Sequence, residues 1–314
     1  MNILLSTDNN YVMPTGVLMH SISINNQENV CYYLMINESF SNENKNTLQQ
    51  IANQYGNQIS FHAITDDLIK VLPFGKDNMP RHVSIATYYR LFVAQVLPKG
   101  VNKVIYMDGD MIVRGSLDEL WNTDLKNYAI AAVHDMDEQK HIASDRLPYP
   151  METGYFNAGM QLINVDYWRK HDCLSVFMSF LKEHADKIVY HDQDVLNSCL
   201  YDKKKWVPLT YNFQNGFLYN CEHKDYLAEL QDEIDETKYN PVVIHYSTYR
   251  KPWHINCFHP YSPAWRFYKK KSQWKNLKLV DDNPKTLKEH LRNFMLRHNL
   301  WIPRCDYQHI IIRK

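Results

Sequence analysis

Apolar and polar positions along the N-terminal third of the chain switch between strand-like runs and helical spacing, which predicts strands followed by helices. Asn2 to Thr7 is a short apolar run that ends in polar loop residues, and from Val12 to Ile24 the residues Val17, Leu18 and Ile22 recur at helical spacing. Val30 to Ile36 predicts a second strand, Asn42 to Tyr55 a helix, Ile59 to Ile64 a third strand, and Ile85 to Val96 another helix. Strands separated by helices of this length imply βαβ crossovers and a parallel sheet, so the fold class is α/β.

Val104 to Met107 then gives a short apolar strand that runs directly into Asp108-Gly109-Asp110. Ligands of open α/β sheets gather at the carboxyl ends of strands, so chemistry is expected at this junction. Beyond it, Met111 to Val113 and Ala129 to Val133 predict strands, with a short helix near Leu117 to Trp121; the second strand ends at His134-Asp135. Phe156 to Val165 reads as a loop passing into a strand, Asp194 to Tyr201 as a helix, and Val242 to His245 as a short strand ending in a polar residue. From about Trp265 the pattern changes, because Trp265, Phe267, Tyr268, Trp274 and Trp301 interleave with Lys269, Lys270, Lys271, Lys275, Lys278 and Arg292. A boundary there divides a catalytic domain, 1–264, from a small helical, basic and aromatic extension, 265–314.

The 314 residues suffice for one large α/β domain with an appendage. A 45% hydrophobic and 22% charged composition argues against disorder. The formal net charge of zero hides an asymmetry: residues 266–314 hold 13 Lys and Arg against 4 Asp and Glu, leaving 22 against 31 in the rest. An acidic body argues against nucleic acid as a partner. Met1 to Asp8 has no cationic stretch followed by an apolar run, so it reads as a strand rather than a signal peptide. No apolar run approaches the length of a membrane span. The six cysteines are scattered without a C-x-x-C pair, which suits reduced thiols in a cytoplasmic protein.

Asp108-Gly109-Asp110 places two carboxylates one residue apart where a buried strand meets a loop. Both can turn toward one hard divalent cation, although the same triplet also makes an ordinary solvated turn. In Val242-Val243-Ile244-His245 a histidine ends an apolar strand and can act as a third ligand, with Lys251 six residues on as a point charge for phosphates. His191-Asp192-Gln193-Asp194 precedes a helical stretch, so one aspartate there serves equally well as a helix cap. Two acids and an amide exceed what a cap needs and can hold sugar hydroxyls. Phe156-Asn157-Ala158-Gly159 reads as a small-residue turn whose Asn can bond a hydroxyl.

Together these blocks resemble glycosyltransferase family 8, which includes bacterial lipopolysaccharide galactosyl- and glucosyltransferases and glycogenin. The similarity is ordered and covers residues 1 to about 260. It runs through Ser6 to Tyr11, Arg81-His82 to Thr87 and Arg90, Tyr106 to Asp110, Phe156 to Gly159, His191 to Asp194, and His245 to Trp253. The resemblance implies a GT-A fold, Rossmann-like and nucleotide-sugar-binding, with Asp108, Asp110 and His245 as ligands to Mn²⁺, or to Mg²⁺ in its place. It implies that Asp8, Asn10 and Tyr11 hold the uridine of UDP-galactose or UDP-glucose. Arg90, Asn157 and Asp192 would hold the donor sugar and Lys251 the diphosphate, with His82, Thr87, Gly109 and Ala158 among the substrate contacts. Gln193 matches the position beneath the anomeric carbon, and Asp135 and Asp194 line the same pocket. Ser247-Thr248 departs from the small-residue pair usual after the histidine.

The implied reaction is retaining transfer of a hexose from the UDP-sugar to an acceptor hydroxyl on a cell-surface saccharide or lipid-linked glycan. Glutamine is a poor nucleophile, which favours front-face attack over double displacement through Asp194. The alternatives are an inactive nucleotide-sugar-binding protein and a metal phosphoesterase. The extension, rich in Lys and aromatic residues, is expected either as a solvated subdomain or as a peripheral contact to the inner face of the cytoplasmic membrane.

Overall fold

A computed structural model describes residues 1–26, 29–73, 85–218, 228–257, 259–280, 286–297 and 300. Its central sheet contains β1 (Asn2–Ser6), β2 (Cys31–Asn37), β3 (Gln58–Ile64), β4 (Lys103–Met107), β6 (Ile130–His134), β7 (Phe156–Asn164) and β8 (Lys204–Trp206) in the order β3-β2-β1-β4-β7-β6-β8. A small second sheet of β5 (Met111–Val113), β9 (Phe213–Gln214) and β10 (Val243–His245) has the order β5-β10-β9.

The parallel expectation holds for β3, β2, β1 and β4, whose crossovers include the helices Val12–Asn25 and Asn42–Gln54. It fails at β7, which runs antiparallel to both β4 and β6 and makes the sheet mixed. Residues 156–164 form one buried nine-residue strand, so Phe156-Asn157-Ala158-Gly159 is strand interior and not a turn. Ile85 to Val96 is a 3₁₀-helix over Ile85–Phe92 followed by a single α-turn, Val93–Val96, rather than one regular helix.

The pleat divides the core. In β1, Ile3 and Leu5 pack into one cluster while Leu4 packs into the other; in β4, Ile105 and Met107 part from Val104 and Tyr106 in the same way. Both faces of these strands are covered, which is why they read as unbroken apolar runs.

The helix Ser262–Lys271 spans the position at which the sequence changes character. Trp265 is fully buried and packs 5.5 Å from Trp253 between ring centroids, and the Tyr268 hydroxyl accepts a hydrogen bond from Asn25 Nδ2 at 2.9 Å. Lys269 is itself buried, donating to the carbonyls of Trp274 at 2.8 Å and Leu277 at 2.5 Å. Thus Trp265, Tyr268 and Trp274 belong to the main core or pack against it, whereas Phe267 is exposed. A further helix, Leu287–Arg297, presents Leu287, Leu291 and Phe294 to solvent, and Trp301 lies outside the described residues. No helix among the described residues is long and apolar enough to cross a membrane. Cys31, Cys173, Cys199 and Cys257 are free thiols.

Candidate active site

Strand β4 ends at Met107, and Asp108-Gly109-Asp110 makes the turn into β5. Antiparallel pairing of β5 with β10 sets His245 opposite Met111, and the Tyr246 N–H donates to the Asp110 carbonyl at 3.0 Å. Two segments far apart in sequence therefore deliver Asp108, Asp110 and His245 to one point, with one ligand atom of each within 4.8 Å of the others. His245 Nε2 lies 3.4 Å from Asp110 Oδ1, a buried oxygen with no hydrogen-bond partner. Lys251 Nζ contacts the other oxygen, Oδ2, at 2.7 Å and also donates to the Tyr246 carbonyl at 2.7 Å. Burial opposes the charge on Asp110, but Lys251 and His245 outweigh it and hold the carboxyl below the usual range. Two carboxylates, an imidazole and an orphaned buried oxygen fit a divalent cation.

Two glycines make the approach possible. A Cβ on Gly109 would stand 2.9 Å from Tyr11 Cδ1 and 3.0 Å from Thr15 Oγ1. One on Gly159 would strike the His245 ring and Met111 Cε, so β7 can pass the histidine only with glycine there.

Arg90 is a buried crossbar between acids. Its Nη2 donates to Asp108 Oδ1 at 2.8 Å, its Nη1 to the Ala158 carbonyl, and its Nε lies 2.7 Å from Asp192 Oδ2, an ion pair whose angle falls outside hydrogen-bond geometry. Tyr106 also donates to Asp108 Oδ1 at 2.9 Å. Burial raises Asp108 above its ordinary value, opposed by Arg90. Burial likewise pushes Asp192 up to about 7; Arg90 works against that rise and Asp108 adds to it.

Next to this pair of acids lies a cleft of about 250 Å³, lined by Thr7, Asp8, Tyr11, Thr87, Arg90, Tyr106 and the Asp108–Asp110 turn among others. Asp8 Oδ1 accepts the backbone N–H groups of Asn10 at 2.8 Å and Tyr11 at 2.9 Å, which shapes the entry into the helix Val12–Asn25. Asn10 is exposed and not part of this lining. His82 lies outside the described residues.

On the far side of Arg90, Gln193 is held at both ends of its amide. Its Oε1 accepts the Ala158 N–H at 2.9 Å, and its Nε2 donates to Asp135 Oδ2 at 3.1 Å. Asn157 Nδ2 donates to the same oxygen at 2.9 Å. The opposing effects of burial and of hydrogen bonds from His141 and Asn157 leave Asp135 below its ordinary value. The neighbouring helix begins at His191, so Asp192, Gln193 and Asp194 lie in its first turns rather than before it. Asp194, fully buried, takes the N–H groups of Val189 at 2.8 Å and Tyr190 at 2.7 Å, the Tyr155 hydroxyl at 2.6 Å, and two bonds from Arg146. It caps the chain entering the helix, as one of the two aspartates was expected to do.

Sequence reasoning missed Arg146, Tyr155, His141 and Asn212. Each is an isolated residue in a loop, a short helix or an irregular turn, and none stands in a recognisable spacing; proximity alone identifies them.

A Rossmann-like sheet that brings an Asp-Gly-Asp turn, a buried histidine and a lysine together at the end of its central strand defines a glycosyltransferase of the GT-A class. Comparison with known proteins agrees. The family profile for glycosyl transferase family 8 matches residues 2–257. The chain is 30% identical to lipopolysaccharide 1,3-galactosyltransferase of Salmonella typhimurium, over 95% of this chain and 85% of the relative. It is 27% identical to general stress protein A of Bacillus subtilis, over 88% and 96% respectively. A galactosyltransferase solved with donor and acceptor sugar analogues superimposes with a TM-score of 0.75 at 25% identity, over 87% of this chain and 96% of that one. The chain belongs to glycosyl transferase family 8, and it is a hexosyltransferase with a nucleotide-sugar donor, a saccharide acceptor and a site for a divalent cation. The inactive alternative has no support, because every candidate cation ligand is present and converges.

Proposed function

We propose that the protein moves galactose or glucose from a UDP-sugar to a hydroxyl of a cell-surface or lipid-linked saccharide, with retention of anomeric configuration. The observation that carries this reading is the convergence of Asp108, Asp110, His245 and Lys251 beside the cleft formed by Asp8, Tyr11 and Thr87. Asp8 and Tyr11 hold the uridine there, with Asn10 at its rim.

Mn²⁺, when bound by Asp108, Asp110 and His245, supplies charge neutralisation to the departing diphosphate. Lys251 adds a cation on the same side and is released from Asp110 Oδ2 to meet the phosphates. Arg90 and Asp192 grip the sugar hydroxyls, with Asn157 and the strand edge at Ala158 completing the subsite. Gln193, its amide fixed between the Ala158 N–H and Asp135, offers an oriented dipole beneath the anomeric carbon.

Front-face attack is favoured over double displacement. Asp194 is the remaining carboxylate of that loop, and its oxygens are taken up by Arg146, Tyr155 and two backbone N–H groups. The acceptor hydroxyl therefore passes its proton to the leaving diphosphate oxygen, on the face from which UDP departs.

The deciding experiment incubates the protein with Mn²⁺ and a panel of nucleotide sugars, with and without saccharide acceptors, and measures nucleotide release and glycan product. Acceptor-dependent release from UDP-galactose or UDP-glucose is expected. Turnover only with a non-uridine donor, or release indifferent to every acceptor, overturns the reading.

A further inference from the structure

We infer that Asn212, to which no sequence motif points, fixes the hydrogen of His245 on Nδ1 and so leaves Nε2 bare toward the cation. This rests on the cation reading above. Asn212 follows the turn Leu209–Tyr211, directly before β9, and is fully buried. Its Oδ1 lies 3.0 Å from His245 Nδ1, and its Nδ2 donates to Asn157 Oδ1 at 2.9 Å. Asn157 Nδ2 in turn donates to Asp135 Oδ2 at 2.9 Å. Asp135, Asn157, Asn212 and His245 thus form one buried row.

The direction of every bond in that row follows from one end. Amide oxygen and nitrogen are alike in shape, so their assignment has to come from the partners. An ionised carboxylate only accepts, and hydrogen bonds from His141 and Asn157 favour the ionised form of Asp135. Asn157 must therefore turn its NH₂ toward Asp135 and its oxygen toward Asn212. The Gly159 N–H, donating to Asn157 Oδ1 at 3.0 Å, requires the same orientation. Asn212 then has to give its NH₂ to Asn157 and present its oxygen to His245. One tautomer remains for the histidine: Nδ1 carries the hydrogen, and Nε2 faces Asp110 Oδ1 at 3.4 Å with its lone pair available. The opposite tautomer would set two acceptors, Asn212 Oδ1 and Nδ1, against each other in a buried place and aim a hydrogen at the cation.

Asn212 is a positioning residue, acting through His245 in the way that outer partners of metal-bound histidines fix ring and tautomer. The sugar subsite and the cation subsite are also joined through it, since its two ends touch Asn157 and His245.

The test reads the tautomer and the metal separately, on the full chain. Histidine ¹⁵N spectra of the metal-free protein, with His245 assigned by its loss in His245→Ala, should give a protonated Nδ1 and a bare Nε2. Mn²⁺ alone, titrated by electron paramagnetic resonance, should bind the wild type and lose affinity in His245→Ala. Asn212→Ala should lose the fixed tautomer and weaken Mn²⁺ by roughly 10–100-fold. Asn212→Asp, which keeps an acceptor against Nδ1, should retain both properties. A folded Asn212→Ala protein with wild-type tautomer and affinity overturns this inference and leaves the cation reading intact. His245→Ala binding Mn²⁺ like the wild type overturns the cation reading itself. Should the alanine variant not fold, the wild-type spectrum still decides, because a hydrogen on His245 Nε2 contradicts the inference outright.

Discussion

Arg146 grips Asp194 with both ends of its guanidinium, Nη2 at 2.6 Å from Oδ1 and Nη1 at 2.7 Å from Oδ2. A carboxylate so occupied is a structural pin, whereas Gln193, its neighbour in sequence, turns its amide into the proposed sugar site.

The contrast separates two variants. Asp194→Ala strips a buried cation of its partner and leaves two backbone N–H groups and a tyrosine hydroxyl unsatisfied, so it is expected to lower stability by about 3–5 kcal/mol. Gln193→Ala should leave the unfolding midpoint close to wild type while reducing kcat. Denaturant unfolding beside initial rates checks both. Wild-type stability in Asp194→Ala would contradict the pin.

Removing one cation ligand loosens metal and diphosphate together. Asp108→Asn, Asp110→Asn or His245→Ala should each reduce transfer by orders of magnitude, and EDTA should do the same until Mn²⁺ is restored. Full activity in a chelated assay would exclude a metal-dependent mechanism.

Front-face attack and double displacement both retain configuration, so the product reports the class of reaction rather than the route. The anomeric proton signal of the product from an α-linked donor should show an α-linkage. A β-linkage contradicts retention.

His259 gives stability a dependence on acid. Burial against Tyr246 and Tyr261 lowers its pKa to about 3, so the folded protein keeps it neutral where an unfolded chain would take a proton near pH 6.5. The contribution is complete above that value and is lost as pH falls toward 3. Melting curves from pH 7 to 4 should therefore fall more steeply for wild type than for His259→Gln, and equal slopes would refute the assignment.

A peripheral contact with an anionic membrane, carried by the extension, now rests on fewer residues. Phe267, Leu291 and Phe294 are exposed, with Lys270 and Lys271 nearby in sequence to Phe267, while Trp265 and Tyr268 are committed to the core. Sedimentation with anionic vesicles at low salt should pellet the wild type, and Phe267→Ser combined with Phe294→Ser should reduce it. A wild-type protein that stays in the supernatant rules the contact out.

Much of the fold was legible because burial writes itself into composition. β1, β2 and β4 are covered on both faces and read as apolar runs, and the Asp-Gly-Asp turn stands where such a run stops. β7 was not legible in the same way: Asn157 and Gly159 look like turn residues, yet the glycine is there to admit the His245 ring and the asparagine to bond Asp135 and Asn212. The aromatic residues after 264 misled for the opposite reason, since Trp and Tyr suit an interface and a core equally and only packing separates Trp265 from Phe267. Asn212 and Arg146 carry no periodicity, and their roles exist only once the chain has brought their partners together.

The pairing of β5 with β10 has a consequence for how the molecule is made. Four strands intervene between the Asp108–Asp110 turn and His245, so the cation corner closes only after most of the sheet has been synthesised and ordered. Such a non-local contact is expected to form late and slowly. A nascent or truncated chain lacking β10 holds two like charges at the end of β4 with no histidine or lysine to offset them. The enzyme is therefore unable to bind its metal, or to act on donor sugar, before its folding is essentially finished.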